Sequence, residues 1–462
     1  MQKFLGIFDK YFKYLVAAII IIVPLYPKFP LIDIPGTYVS IRFEDFLLAI
    51  TAVFTLIKIL PNVKRAFDDS ITRAMAVFLL IGSVSLLAGI FLTQTIVPSI
   101  GILHLLRRVE YFMPFLAVFV FFPYEKDKNL DFYIKSLMVT VFVAFLYGLG
   151  QIYLNFPVIV TQNSESSKGV ALSWVPGSQL TSTFAGHYDL ATYMVLILPI
   201  LICLIFTVKD RLSKVLLSLV SFSGFWLLLN SASRISLVSY LVAVCVSLFL
   251  IKKTKAILVV VIISLVLGAF STNLFDRYKS LIDVYLQKIK SVKISQVIPY
   301  SFSVSAQEIT SKNVVEVATP TPMPVPVVED RSTAIRLNVE WPGAIRAFVK
   351  DPLLGTGYSS VGLAVDNDYL RLLAEVGLLG FLGFILIISR ILFSFTSAFP
   401  LTEKLSGINL GFVAGVIGGI IGTMINAVFI DVFEASKFAI TFWLLVGLAV
   451  YIAKEVSYGH KN

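Results

Sequence analysis

Apolar residues dominate this chain in long blocks, separated by short polar stretches. Runs of roughly 18 to 22 apolar residues are the length that a helix needs to cross about 30 Å of hydrocarbon. They predict about twelve spans, near 14–27, 43–60, 74–92, 100–122, 136–155, 187–207, 214–230, 233–251, 255–272, 376–396, 408–429 and 437–453. One long polar passage leads directly back into apolar sequence, from Arg331 to Gly380. Within it Ala334, Val339, Trp341, Ala344, Ile345 and Phe348 recur at helical spacing. Pro342 kinks or restarts that helix, and Asp351-Pro352 stops it. Gly355 and Gly357 provide a turn, and Asp366-Asn367-Asp368 is a natural helix start before Tyr369.

Composition sharpens the class. Hydrophobic residues make up 57% of the 462 residues and charged ones 14%, well below the soluble average of about a quarter. The pattern is that of an all-α polytopic membrane protein. Its net charge of +10 is no signature of nucleic-acid binding, because the cations fall between apolar runs. On one side stand Lys3, Lys10, Lys13, Lys58, Lys64, Arg65, Arg73, Lys126, Lys128, Lys135, Lys209, Arg211, Lys214, Lys252, Lys253, Lys255, Arg390, Lys404, Lys454 and Lys461. The short loops opposite hold only Lys28, Arg42, Lys168, Arg234 and Lys437. The positive-inside rule then puts both termini in the cytoplasm and segment 273–375 outside. The chain so divides into an N-terminal membrane domain of about nine spans (residues 1–272), the outer loop 273–375, and a C-terminal membrane segment of about three spans (residues 376–462). An outer site has no direct access to cytosolic ATP or nucleotide sugars.

The outer loop has internal structure. Phe275 to Ser295 reads as a helix with one apolar face, suited to lying along the membrane surface. Residues 318–328 form a Pro-rich, extended spacer. A second polar outer loop runs from Asn155 to Leu180. The chain shows no Walker-type loop and no His/Cys metal spacing, so neither a cofactor nor a metal is expected. Cys203 and Cys245 both fall inside spans and imply no disulfide.

Ionisable residues inside spans cost several kcal/mol unless paired or wetted, roughly 2.5 to 3.5 on insertion scales. The passage HLLRRVEY places Arg107, Arg108 and Glu110 about two to three turns into the fourth span. Arg107 and Glu110 are i, i+3 neighbours and can neutralise each other, whereas the adjacent arginine points elsewhere, toward a hydrated cavity. Arg234 sits at the tight outer turn NSASRIS, where snorkelling to the interface is the plain alternative. On an unbroken helix Arg336 and Arg346 would point about 80° apart. Guanidiniums converging outside the membrane suit an anion of phosphate geometry; a solvated basic face is the other reading. His187 and Asp189 enter the sixth span at its outer boundary.

Four passages resemble the O-antigen ligase and polymerase superfamily of bacterial envelope proteins. TSTFAGHYDLATY resembles its Gly-Thr-Phe and Pro-Asn-x-Leu-Ala entry to a span, and NSASRIS its Ser-Arg turn. RLNVEWPGAIRAFVKDPLLGTGY resembles its Arg, Trp and Pro-x-x-Gly-x-Gly outer loop, and DNDYLRLLAEVGLLG its His-Asn-x-x-Leu and Glu-x-Gly-x-x-Gly entry to the tenth span. The resemblance implies an integral-membrane (GT-C-like), metal-independent glycosyltransferase in a bacterial cytoplasmic membrane. Such a protein moves an undecaprenyl-diphosphate-linked glycan to an acceptor hydroxyl on a lipid or a glycan. It marks Asp366, Arg336 and Arg234 as catalytic candidates, and Arg107, Arg108, Arg346, Asn367, His187 and Trp341 as substrate-binding ones. Arg234 and Arg336 suit a diphosphate leaving group, which needs charge stabilisation as its bond breaks. Where the family's ligases carry histidine this chain has Asp366, a carboxylate that can also accept a proton; Asp189 stands where asparagine is commoner.

Two other readings stay open at this level. A repeat-unit polymerase of the same superfamily would use the same outer arginines, and Arg346 and Gly357 match an Arg-x10-Gly spacing. A transporter or lipid flippase would line its path with the intramembrane charges, but such proteins carry broken helices and pseudo-repeats.

Overall fold

A computed structural model describes residues 2–29, 31–34, 40–121, 129–160, 170–269, 334–362 and 364–459. The expected surface helix at Phe275 to Ser295 and the spacer 318–328 lie outside the described residues. A helix stands at the position of each expected span. In chain order these are α1 Gln2–Leu25, α2 Phe43–Ile59, α3 Ser70–Phe91, α4 Pro98–Phe121, α5 Asn129–Tyr153, α6 His187–Thr207, α7 Arg211–Asn230, α8 Arg234–Leu250 and α9 Thr254–Ala269. Further along come α10 Trp341–Lys350, α11 Asp368–Thr396, α12 Gly407–Asn426 and α13 Ser436–Gly459. Seven of them (α3, α5, α6, α7, α11, α12 and α13) are each long and apolar enough to cross a membrane. Others miss that test for physical reasons: α2 has 17 residues, and α4 carries Arg107, Arg108 and Glu110 within its span.

The chain is mostly helical, as its apolar runs predict. Two very short antiparallel pairs close loops between helices: β1 Ile32–Asp33 with β2 Ser40–Ile41, and β3 Val158–Val160 with β4 Val170–Leu172. Strands this short escape hydrophobic patterning, because period-two alternation needs about four residues to register.

The core is built on α6, α12 and α13. Nearly all of the most apolar 18-residue stretch within Ser436–Val456 of α13 is buried, so this helix is surrounded by others rather than by lipid. The small-residue face of α12 lies against α6 and α8; a Cβ at Gly415 would meet the Ile200 backbone, and one at Gly418 the Ala243 carbonyl. Without a hydrophobic drive between helices in lipid, such close backbone approach supplies the packing energy. Peripheral helices keep apolar side chains exposed, as with Leu80, Leu87 and Phe91 on α3 or Leu258 and Leu265 on α9. In a soluble protein this would be a liability; here it is the lipid-facing surface.

Candidate functional site

Two of the sequence passages interlock to shape the site. The turn after α10 straps onto the break inside α11: Thr356 N–H donates to Ala374 O at 2.9 Å, Gly357 N–H to Glu375 O at 2.8 Å, and Leu378 N–H to Pro352 O at 2.8 Å. The break lies at Gly377, whose φ of 65° and ψ of −172° are non-helical. Gly355, with φ 73°, lies directly against it, and a Cβ on Gly377 would overlap Leu353 O. Only glycine fits that left-handed, backbone-to-backbone contact. Ser85 on α3 donates to Glu375 O at 2.7 Å, which moors the strap to the bundle.

The break leaves Asp368 to Val376 as a short, mostly buried helix carrying the central cation. Arg371, 4% exposed, places Nη2 2.8 Å from Asp431 Oδ2 and Nη1 3.2 Å from Glu375 Oε1, with Nε 3.9 Å from Glu434 Oε1. Asp431, in the turn between α12 and α13, also accepts from the backbone N–H groups of Val365 (2.7 Å), Asp366 (3.0 Å) and Asn367 (3.0 Å). Burial pushes the Asp431 carboxyl up, yet the Arg371 guanidinium and these N–H groups hold it below the usual range. Asp368 accepts from Val432 and Phe433 N–H at 2.7 and 3.3 Å, fixing the same turn from the other side. Arg108 reaches it from α4, donating to Phe433 O at 2.9 Å and pairing with Glu434. Arg108, Asp368, Arg371 and Glu434 line a cavity of about 30 Å³ with Phe78, Tyr111 and Phe433 among its apolar walls. That volume holds about one or two waters.

Arg371 and its partners hold up the loop that carries Asp366. Asp366 has φ 51°, a left-handed conformation that Asp tolerates, and Asn367 is the N-cap of α11, its Oδ1 accepting from Leu370 N–H at 3.0 Å. Arg336 lies across from it. Its Nε donates to Asp366 Oδ2 at 2.9 Å and its Nη2 is 2.7 Å from the same oxygen, so among the described residues both contacts fall on one carboxylate oxygen. The Arg336 guanidinium also stands 5.4 Å from the Tyr188 ring centre. Arg336 begins a π-helical turn, Arg336–Glu340, that feeds into α10 with Pro342 in its first turn. Such turns are rare and recur at functional sites. Burial and the neighbouring Asp431 raise the Asp366 carboxyl against the pull of Arg336. Glu340, one turn on, is raised to about 7 by burial and by Asp366.

The sequence-predicted residues divide into three groups. Arg336 and Asp366 are brought into contact, with Asn367 next in the chain. Arg234 starts α8 at the same end: Ser236, two residues on, donates to Asn426 Oδ1 at 3.1 Å, and Asn426 donates to Thr192, one turn past Tyr188. His187 opens α6 and stacks near Tyr188 with ring centres 4.0 Å apart, while Trp341 lies 6.2 Å from Phe429. Arg346 is exposed on α10, whereas Arg336 is buried; the π-turn Arg336–Glu340 lies between them and changes the helical phase. Arg107 and Glu110 act on each other electrostatically, as i, i+3 neighbours can. Asp45, Glu44 and Tyr111 lie within the same electrostatic reach of Arg107. Sequence reading misses Arg371, Glu375, Asp431 and Glu434; the i, i+4 spacing of Arg371 and Glu375, and two carboxylates interrupting apolar sequence at FIDVFEASK, are the available signals.

The fold and site define a polytopic helical membrane protein whose buried arginine–carboxylate centre supports a charged loop at one end of the bundle. Residues 219–385 match the family model described as O-antigen ligase, so the resemblance to that superfamily is shown over this stretch. The match takes in Arg234, Arg336, Asp366, Arg371 and Glu375 and stops before Asp431. Comparison with curated proteins finds no match.

Proposed function

We propose that the protein transfers an undecaprenyl-diphosphate-linked glycan to an acceptor hydroxyl at the outer face of the bacterial cytoplasmic membrane. In this reading the chain crosses the membrane about twelve times, both termini are cytoplasmic, and 273–375 is outside. The acceptor O–H gives its proton to Asp366 while its oxygen attacks the anomeric carbon. The bond from that carbon to the diphosphate oxygen breaks, and the diphosphate leaves with the electron pair. Arg336 and Arg234 neutralise the charge that grows on it, and Arg108, Arg346, Asn367, His187 and Trp341 line the approach.

The observation that supports this most is the Arg336–Asp366 contact. A guanidinium spends both contacts on one carboxylate oxygen, leaves the other for a hydroxyl, and itself lies next to the aromatic Tyr188. General-base assistance is typically worth about 10²- to 10⁴-fold. The test is to reconstitute the purified protein with a lipid-diphosphate-linked oligosaccharide and candidate acceptors and to analyse the glycan product. A longer lipid-linked oligosaccharide in place of a transferred one would make it a polymerase. Absence of both products with every acceptor would remove the transferase reading.

A further inference from the structure

A second buried charge cluster lies on the other face of α4, outside the matched family segment. Lys28, after α1, and Arg42, before α2, are 7% and 8% exposed. Each is within electrostatic reach of Arg107 and of Glu44, which is fully buried. Asp189, at the start of α6, faces Lys28 and Arg42. Asp45 and Glu110 lie beside Arg107 in the same cluster. Lys437, also close, is spent on three carbonyls: Pro24 O at 3.0 Å, Tyr26 O at 2.7 Å and Thr183 O at 2.7 Å.

The rest of the cluster is assembled but not paired. Among the described residues, neither Lys28, Arg42 nor Arg107 comes within ion-pairing distance of a carboxylate side chain. Both carboxylate oxygens of Glu44 and the Nε of Arg42 are buried with no hydrogen-bond partner. Leaving such groups bare costs the full desolvation of each, about 1–3 kcal/mol and more when charged. Donors that carry positive charge and acceptors that carry negative charge are thus presented side by side. A ligand that satisfies both has an acid group and several hydroxyls.

We propose that this cluster binds an anionic sugar, with Lys28, Arg42 and Arg107 on its phosphoryl or carboxyl group and Glu44 accepting from its ring hydroxyls. The site shares α4 with the Arg371 centre, Arg107 facing one and Arg108 the other. If the glycan-transfer reading holds, the bound sugar belongs to the acceptor; binding itself does not depend on that reading.

The experiment therefore measures occupancy and not transfer. Burial and Arg42 lower the Lys28 amine to about 8, so near pH 7.5 a fair share is neutral and nucleophilic. Detergent-solubilised full-length protein is treated with a small amine-acylating reagent, and modification of Lys28 is read by peptide mass spectrometry. Glucuronate and glucose 6-phosphate should each protect Lys28 at concentrations where glucose does not, and at least tenfold below inorganic phosphate. Arg42→Gln should raise the protecting concentration about tenfold or more, the worth of a hydrogen bond to a charged group. If that variant does not fold, the competition series on the unmodified protein stands without it. Equal protection by inorganic phosphate would leave a free-anion site, and stronger protection by phosphatidylglycerol a lipid-headgroup site; either overturns the sugar assignment. A Lys28 that never labels, or labels without protection by any probe, marks a closed or merely hydrated ion cluster and ends the proposal.

Discussion

Arg371 and Asp431 meet at 2.8 Å across sixty residues of chain, joining the broken entry of α11 to the turn before α13. Through Asp431 the contact extends to the backbone of Val365, Asp366 and Asn367, so one ion pair sets the height of the Asp366 loop.

Breaking that pair should therefore unfold the site before it touches any substrate. Removing one partner of a buried pair leaves an uncompensated charge and costs about 3–5 kcal/mol. Asp431→Ala should lower the thermal midpoint of the solubilised protein strongly and abolish transfer, whereas Arg346→Ala, on an exposed side chain, should leave the midpoint unchanged. Equal midpoints for Asp431→Ala and the unmodified protein would show that the pair supports nothing.

Gly377 tests the strap between the turn after α10 and the break in α11. Its φ of 65° and the overlap that a Cβ would make with Leu353 O leave a side chain no room. Residues forced into such backbone cost about 1–3 kcal/mol, before any clash. Gly377→Ala should destabilise the protein and loosen Thr356 and Gly357, read as faster amide exchange there. Unchanged exchange would mean that the strap is held elsewhere.

Much of this architecture is legible in the sequence, and what escapes it shares a cause. Apolar runs mark the helices because lipid demands a fixed length, and Asn367 as a cap follows from side-chain chemistry alone. The interlocking of residues 352–357 with 374–379 involves backbone groups, which no residue pattern announces. Lys28, Arg42 and Lys437 look like ordinary loop cations until folding brings the ends of α1, α2, α6 and α13 together around them. The 80° between Arg336 and Arg346 holds only for an unbroken helix; the π-turn after Arg336 has no clear sequence signal, yet it shifts every later side chain around the axis.

Glu340 gives a pH test. Its folded value near 7 lies above the ordinary carboxylate range, because burial and Asp366 disfavour its charge. Between about 4.5 and 7 the folded protein then binds more protons here than the unfolded chain, so this residue's contribution to stability falls as pH rises through that window. Glu340→Gln should leave stability unchanged below the window and raise it above, read as a midpoint difference that grows from pH 4.5 to 7.5 and then levels. A difference independent of pH would place Glu340 in ordinary solvent.

The sharpest test of the proposed chemistry is Asp366 itself. Its φ of 51° is a conformation in which Asn and His are also enriched, so either can replace it without forcing the backbone. Asp366→Asn keeps size and polarity but removes the basic carboxylate and the charge that faces Arg336. If the carboxylate accepts the acceptor's proton, transfer should fall by about 10²- to 10⁴-fold while the lipid-diphosphate donor still binds. Asp366→His restores a group able to take a proton and should recover some of the rate, with an activity profile shifted toward the imidazole's titration near 6.5. Arg336→Lys provides the contrast, since it keeps the charge yet loses the planar donor pair that spans Asp366 and a phosphate; it should weaken donor use more than it alters the pH profile. Full transfer by Asp366→Asn would assign the proton to another group and leave Asp366 as the partner that orients Arg336.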